Sequence, residues 1–115
     1  MTLQDKIAHL QNLASRLSQI ECSGTYLYAD DLSQLNSEIH AYINELYPLH
    51  GGTMEQEASL SLALLRGYSV CMYAGPDDDL KRHTILNRSR QLLKKLPPSS
   101  LKQDLLTVCR EYAVI

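Results

Sequence analysis

The chain has 115 residues, 44% of them apolar and 21% charged, a balance that predicts a single helical domain over residues 1–115 and excludes a disordered chain. Its formal net charge of −2 lacks the surplus of Lys and Arg that a general nucleic-acid binder uses to displace counterions, so no direct nucleic-acid contact is expected. There is no Phe or Trp and all seven aromatics are Tyr, which leaves Leu, Ile and Ala to fill the core and favours helices over sheets.

Thr2 and Asp5 have the spacing of a capping box, and Leu3, Ile7, Leu10, Ala14 and Leu17 follow at three-four spacing, so the first helix is expected over residues 3–21. Gly24 stops it, and Tyr26, Leu27 and Tyr28 form a connector before Asp30 or Asp31 offers an N-cap oxygen. Leu32, Leu35, Ile39, Ile43 and Leu46 make the second stripe, which Pro48, Gly51 and Gly52 end. Thr53 with Gln56 is a second capping box, opening a third helix over residues 54–74. Ala58, Leu60, Leu62, Ala63, Leu64, Leu65, Tyr68, Val70, Cys71 and Met72 place apolar groups nearly all round that cylinder, so it must be enclosed by the others. Gly67 within it suits a close helix approach.

Gly75 and Pro76 end the third helix, and Asp77, Asp78 and Asp79 supply a cap and first-turn carboxylates for the fourth. Leu80, Ile85, Leu86, Ser89, Leu92, Leu93 and Leu96 carry that helix to Lys94 and Lys95, whose charges suit its C-terminal carbonyls, and to the stop at Pro97 and Pro98. Ser100 with Gln103 reads as a third capping box, after which Leu101, Leu105, Val108, Cys109 and Tyr112 line a fifth helix. The expected architecture is all-α, a compact bundle of about five helices around a central hydrophobic third helix.

Chemistry-bearing patterns are few. His9, His40, His50 and His83 lack the spacing and neighbouring cysteines of a metal site, and Gly51-Gly52 lacks the glycines and Lys-Ser/Thr of a phosphate-cradling loop. No cofactor and no catalysis are expected, and Cys71 reads as core packing. Cys22, Cys71 and Cys109 form no C-x-x-C pair and no signal-peptide core precedes them, which fits a reducing cytoplasm. The longest apolar run, within residues 58–74, is interrupted by Ser61, Arg66, Gly67 and Ser69, so no membrane span is expected.

What remains is surface. Residues 1–76 carry three basic side chains against eight acidic ones, whereas residues 77–115 carry eight against five. Lys81, Arg82, Arg88, Arg90, Lys94 and Lys95 give the fourth helix a basic surface without the interleaved aromatics that stack bases, which favours a protein partner over RNA. Tyr26, Tyr28, Tyr42 and Tyr47 are rigid amphipathic groups of the kind that anchor interfaces, and with Arg88 and Arg90 they are the candidate partner-binding residues. A generic helical protein-protein interaction adaptor, or a homodimer burying Tyr and Leu surface, is the alternative.

The ordered segments Tyr28-Ala29-Asp30, Leu35-Asn36-Ser37-Glu38-Ile39, Leu46-Tyr47-Pro48-Leu49-His50-Gly51 and Glu57-Ala58-Ser59-Leu60-Ser61-Leu62-Ala63-Leu64-Leu65-Arg66-Gly67-Tyr68 resemble the UpxZ family. The similarity continues through Tyr73, Leu86-Asn87-Arg88-Ser89, Leu96-Pro97, Ser100-Leu101-Lys102 and Leu105-Leu106. That resemblance implies a small bacterial regulator, encoded with capsular polysaccharide operons, that binds and inhibits UpxY proteins, which are NusG-like transcription antitermination factors. Such an inhibitor needs a specific interface and no chemistry, and the family supplies no binding residue to carry over.

Overall fold

The first helix starts as its spacing predicts. The Thr2 Oγ1 accepts from the Asp5 amide and the Asp5 carboxylate accepts from the Thr2 amide, both at 3.2 Å, so two amides that a helix start leaves unpaired are satisfied reciprocally. The computed structural model describes residues 2–23, 29–70 and 76–113, with side chains described at 2–19, 34–70 and 80–111. Five helices follow one another: α1 Leu3–Ser23, α2 Ala29–Leu46, α3 Met54–Val70, α4 Pro76–Lys95 and α5 Ser100–Ala113. The described residues are all-α, and none of their helices is long and apolar enough to cross a membrane.

Several helix ends differ from the sequence reading. The α1 helix runs two residues past the expected end at residue 21, to Ser23. Ala29 is already helical, so Asp30 and Asp31 lie within the first turn of α2 and neither is its N-cap. Carboxylates gain from the helix dipole in that first turn as well as at the cap, so the same residues suit either position. Pro76, read as a terminator of the third helix, is the first residue of α4, where its missing N–H costs nothing. At α5 the cap is Ser99 and not Ser100: the Lys102 amide donates to Ser99 Oγ at 3.2 Å, and the Gln103 amide donates to the Ser99 carbonyl at 3.1 Å. Two adjacent serines offer the same chemistry, and the hydrogen bonds fall on the first. The far end of the expected third helix, with Cys71 and Met72, and the connector glycines Gly24 and Gly75 fall outside the described residues.

The hub is α3. Among the described residues it packs on each of the other four helices, while α1 also packs on α2 and α4 also packs on α5. Leu60 through Leu65 are six consecutive buried residues, and at 3.6 residues per turn such a run covers every direction around the axis, so it needs neighbours on all sides. Leu60, Leu64 and Leu65 are fully enclosed, each contributing on the order of 2 kcal/mol of apolar burial. Facing them are Ile7, Leu10, Leu13 and Leu17 from α1, Leu35, Ile39, Ile43 and Leu46 from α2, Ile85, Leu86 and Leu96 from the α4 side, and Leu105, Val108 and Cys109 from α5.

Helix direction alternates along the chain. The starts of α1, α3 and α5 meet at one end, where Gln4, Thr53, Glu55, Leu96, Ser99 and Leu101 share the lining of a cavity of about 410 Å³. There the C-terminal carbonyl of Leu96 accepts from Lys102 Nζ at 3.1 Å, so the cation that engages the end of α4 comes from α5, and Lys94 and Lys95 remain exposed.

Among the described residues the core encloses two serines with different surroundings. Ser61 is fully buried and its Oγ has no hydrogen-bond partner among the described residues. Ser89, the other buried serine, donates to the Ile85 carbonyl at 2.8 Å. An unpaired buried hydroxyl costs about 1–3 kcal/mol in mutational series, so Ser61→Ala is expected to raise stability by about 1 kcal/mol, read as a higher urea midpoint at unchanged slope. A drop in midpoint would show that the hydroxyl has a partner in solution.

Candidate interaction surface

The most ordered polar cluster ties the α2–α3 loop, the first turn of α3 and the middle of α4 together. Glu57 is at its centre, with 17% of its side chain exposed. Its Oε2 accepts from the Gly51 amide at 2.7 Å, and its Oε1 pairs with Arg88 Nη2 from α4. Arg88 Nη2 also lies 3.0 Å from His50 Nδ1, which is itself 3.3 Å from Glu57 Oε1; Nδ1 accepts from the guanidinium in the tautomer that leaves it bare and donates to the carboxylate in the tautomer that protonates it. Burial alone would raise the Glu57 carboxyl, but the Gly51 amide, the Arg88 charge and His50 outweigh it and hold the pKa below the ordinary 4.5.

Loop shape makes this possible. A Cβ on Gly51 would sit 2.5 Å from the Glu57 backbone nitrogen and 2.7 Å from the Gln56 carbonyl carbon, so only glycine lets the loop lie against the start of α3. The Thr53–Gln56 capping box forms in altered register. Thr53 Oγ1 accepts from the Gln56 amide at 3.1 Å, while the Gln56 side chain reaches past Thr53 to accept from the Gly52 amide at 2.8 Å. Loop amides thus find acceptors in α3, and the turn carries Leu49 and Met54 on its surface, 36% and 42% exposed.

The candidate partner-binding residues separate into different environments. Tyr26 and Tyr28 lie outside the described residues. Tyr42 is half-buried against the core, its ring 4.8 Å from that of His9 and tilted by 51°. Tyr47 is half-buried beneath Lys81, whose Nζ is 5.4 Å from the ring centroid and 3.2 Å from Asn44 Oδ1. Arg88 is held by Glu57, so it orders the loop. Arg90 is exposed, and with Asn87, Arg88, Gln91, Leu93 and Lys94 it lines a shallow groove of about 610 Å³ on α4.

The cations of α4 differ in what they meet. Lys81 is spent on Tyr47 and Asn44, and Arg88 on Glu57. Arg90, Lys94 and Lys95 are exposed with no ion-pair partner among the described residues. The Arg90 charge also reaches α5: burial pushes the Cys109 thiol up, while Arg90 and the Ser89 hydroxyl pull the other way. Among the described residues no group of three or more His, Cys, Asp or Glu could hold a metal ion.

Sequence reasoning missed Glu57, Gly51 and His50 as a unit with Arg88, and missed Leu49 and Met54 as exposed apolar groups. Glu57 and Arg88 lie 31 residues apart and His50 and Arg88 lie 38 apart, and nothing in local spacing pairs them.

Comparison with known proteins gives a consistent result. The model of the UpxZ family of transcription anti-terminator antagonists matches residues 7–111. The fold is similar to the crystal structure of a transcription anti-terminator antagonist UpxZ from Bacteroides uniformis, with a TM-score of 0.82 and 31% sequence identity over 95% of this chain and 67% of that one. No curated protein matches.

Proposed function

The chain belongs to the UpxZ family of transcription anti-terminator antagonists, and from that premise we propose that it binds a NusG-like antitermination factor of the UpxY type and keeps it from acting on a capsular polysaccharide operon. The carrying observation is the family match over residues 7–111, supported by the same fold in a solved antagonist. Antagonism of this kind requires a stable surface that discriminates among related factors, and a rigid helical scaffold with exposed cations on α4 supplies one.

The test is direct. Purified protein is titrated into NusG-like factors encoded near capsule loci, and binding is followed by calorimetry. A terminator read-through assay with the same factors then reports function. Micromolar or tighter binding with loss of read-through is the expected result, and an absence of binding to every such factor would remove the proposal.

A further inference from the structure

Resting on the antiterminator-binding reading, we propose that the docking surface is the exposed basic face of α4 together with the adjoining apolar loop, and that its occupant is an acidic, amphipathic segment of the antitermination factor. Two sets of residues carry this. Arg90, Lys94 and Lys95 are exposed cations with no ion-pair partner among the described residues. Leu49 on the loop and Met54 at the start of α3 are exposed apolar side chains, and Arg88 anchors that loop to α4 through His50 and Glu57.

The arrangement is costly to the isolated protein. Arg90 and Lys94 are four apart on one helix, where like charges repel by a few tenths of a kcal/mol. The helix dipole accounts for Lys94 and Lys95 in the last turn, but not for Arg90, which lies outside it. No acidic side chain follows Asp79 on α4 to neutralise the stripe. Carboxylates from a partner would relieve this repulsion, and the half-buried Leu93 in the groove lining would meet the apolar side of the same segment, with Leu49 and Met54 on the flank where Arg88 holds the loop.

A protein occupant is favoured over RNA by the lining of the groove. The groove on α4 is lined by Asn87, Arg88, Arg90, Gln91, Leu93 and Lys94, with no aromatic face on which a base could stack. The clamp formed by Gly51, Glu57 and Arg88 positions the loop and is not itself part of the contact.

The experiment compares four proteins against purified NusG-like antitermination factors by calorimetry at 50 and 200 mM salt. They are the wild type, the triple variant Arg90→Glu, Lys94→Glu, Lys95→Glu, the double variant Leu49→Ser, Met54→Ser, and Arg16→Glu as an exposed cation on α1 away from this face. Every substituted side chain is at least a third exposed, so the fold is retained, and circular dichroism checks this; Arg90→Gln, Lys94→Gln, Lys95→Gln serves if reversal perturbs the helix. The triple variant is expected to lose on the order of tenfold or more in affinity and most of the salt dependence, the double variant several-fold at unchanged salt dependence, and Arg16→Glu nothing. Wild-type binding that all variants retain would overturn this surface while leaving the antagonist function standing. Wild-type failure to bind any factor would remove both. Single-stranded RNA bound by the wild type and released by the triple variant, with affinity for the factor unchanged, would assign the face to nucleic acid and also overturn the proposal.

Discussion

Replacing Gly67 with leucine is expected to destabilise the protein by about 3 kcal/mol or more, enough to lower the thermal midpoint by on the order of 10 °C. A Cβ at that position would lie 3.0 Å from Ile43 Cδ1, 3.2 Å from Ile43 Cγ1 and 3.5 Å from Leu10 Cδ1. Ile43 and Leu10 are both fully buried, so neither side chain has space into which to turn. The further carbons of leucine would therefore have to part α3 from α1 and α2. Alanine separates the two effects in play. It gains about 1 kcal/mol in helix propensity over glycine and loses a comparable amount to the tight Ile43 contact, so Gly67→Ala is expected near neutral. Urea unfolding of both variants reads the difference, and a leucine variant as stable as wild type would mean that these helices separate without cost.

The second large effect is at Glu57, where Glu57→Gln is expected to cost about 2 kcal/mol and to change how stability responds to acid. Hydrogen bonds to a charged group contribute about 1.5–3 kcal/mol each when partly shielded from water, and the carboxylate holds both the Gly51 amide and the Arg88 guanidinium. The glutamine retains an acceptor for one of them and removes the charge that Arg88 faces. By contrast the Lys6–Glu45 pair at 2.5 Å has side chains 27% and 49% exposed, and Glu45→Gln is expected to change stability by under about 0.5 kcal/mol.

The acid response follows from the direction of the shift. The folded-state pKa of Glu57 is lowered, so the unfolded chain takes up its proton at a higher pH than the folded protein does. The carboxylate's contribution is therefore complete above its ordinary value of 4.5 and declines as pH falls through the lowered folded-state value. Urea midpoints measured from pH 7 to pH 3 should show the wild type converging on the glutamine variant at the acid end. A constant gap between them across that range would contradict the assignment.

The helical class, the number of helices and the identity of the hub were all legible in the chain itself, because they depend on local signals. Three-four apolar spacing marked each helix, and the near-continuous apolar surface of Leu60 to Leu65 marked the one that had to be surrounded. Proline and glycine breaks placed the described turns, between α2 and α3 and between α4 and α5, to within a few residues. Cap identity was legible where a single residue could serve: Thr2 took its expected role, whereas of the adjacent Ser99 and Ser100 the fold uses the first. The resemblance to the UpxZ family was also readable in the order of the matching segments, and the family model matches residues 7–111.

Tertiary structure alone decided which side chains are free to meet a partner. Arg88 and Arg90 are two residues apart in the sequence and equal in charge, yet one is taken by Glu57 and the other is exposed. Tyr42 and Tyr47 read as surface anchors, but they are half-buried against His9 and beneath Lys81. Helical periodicity reports which direction a residue faces relative to its own axis. Whether that direction meets water, a core or a carboxylate depends on how α2, α3 and α4 are set against one another, through contacts between residues more than thirty positions apart that no local pattern encodes.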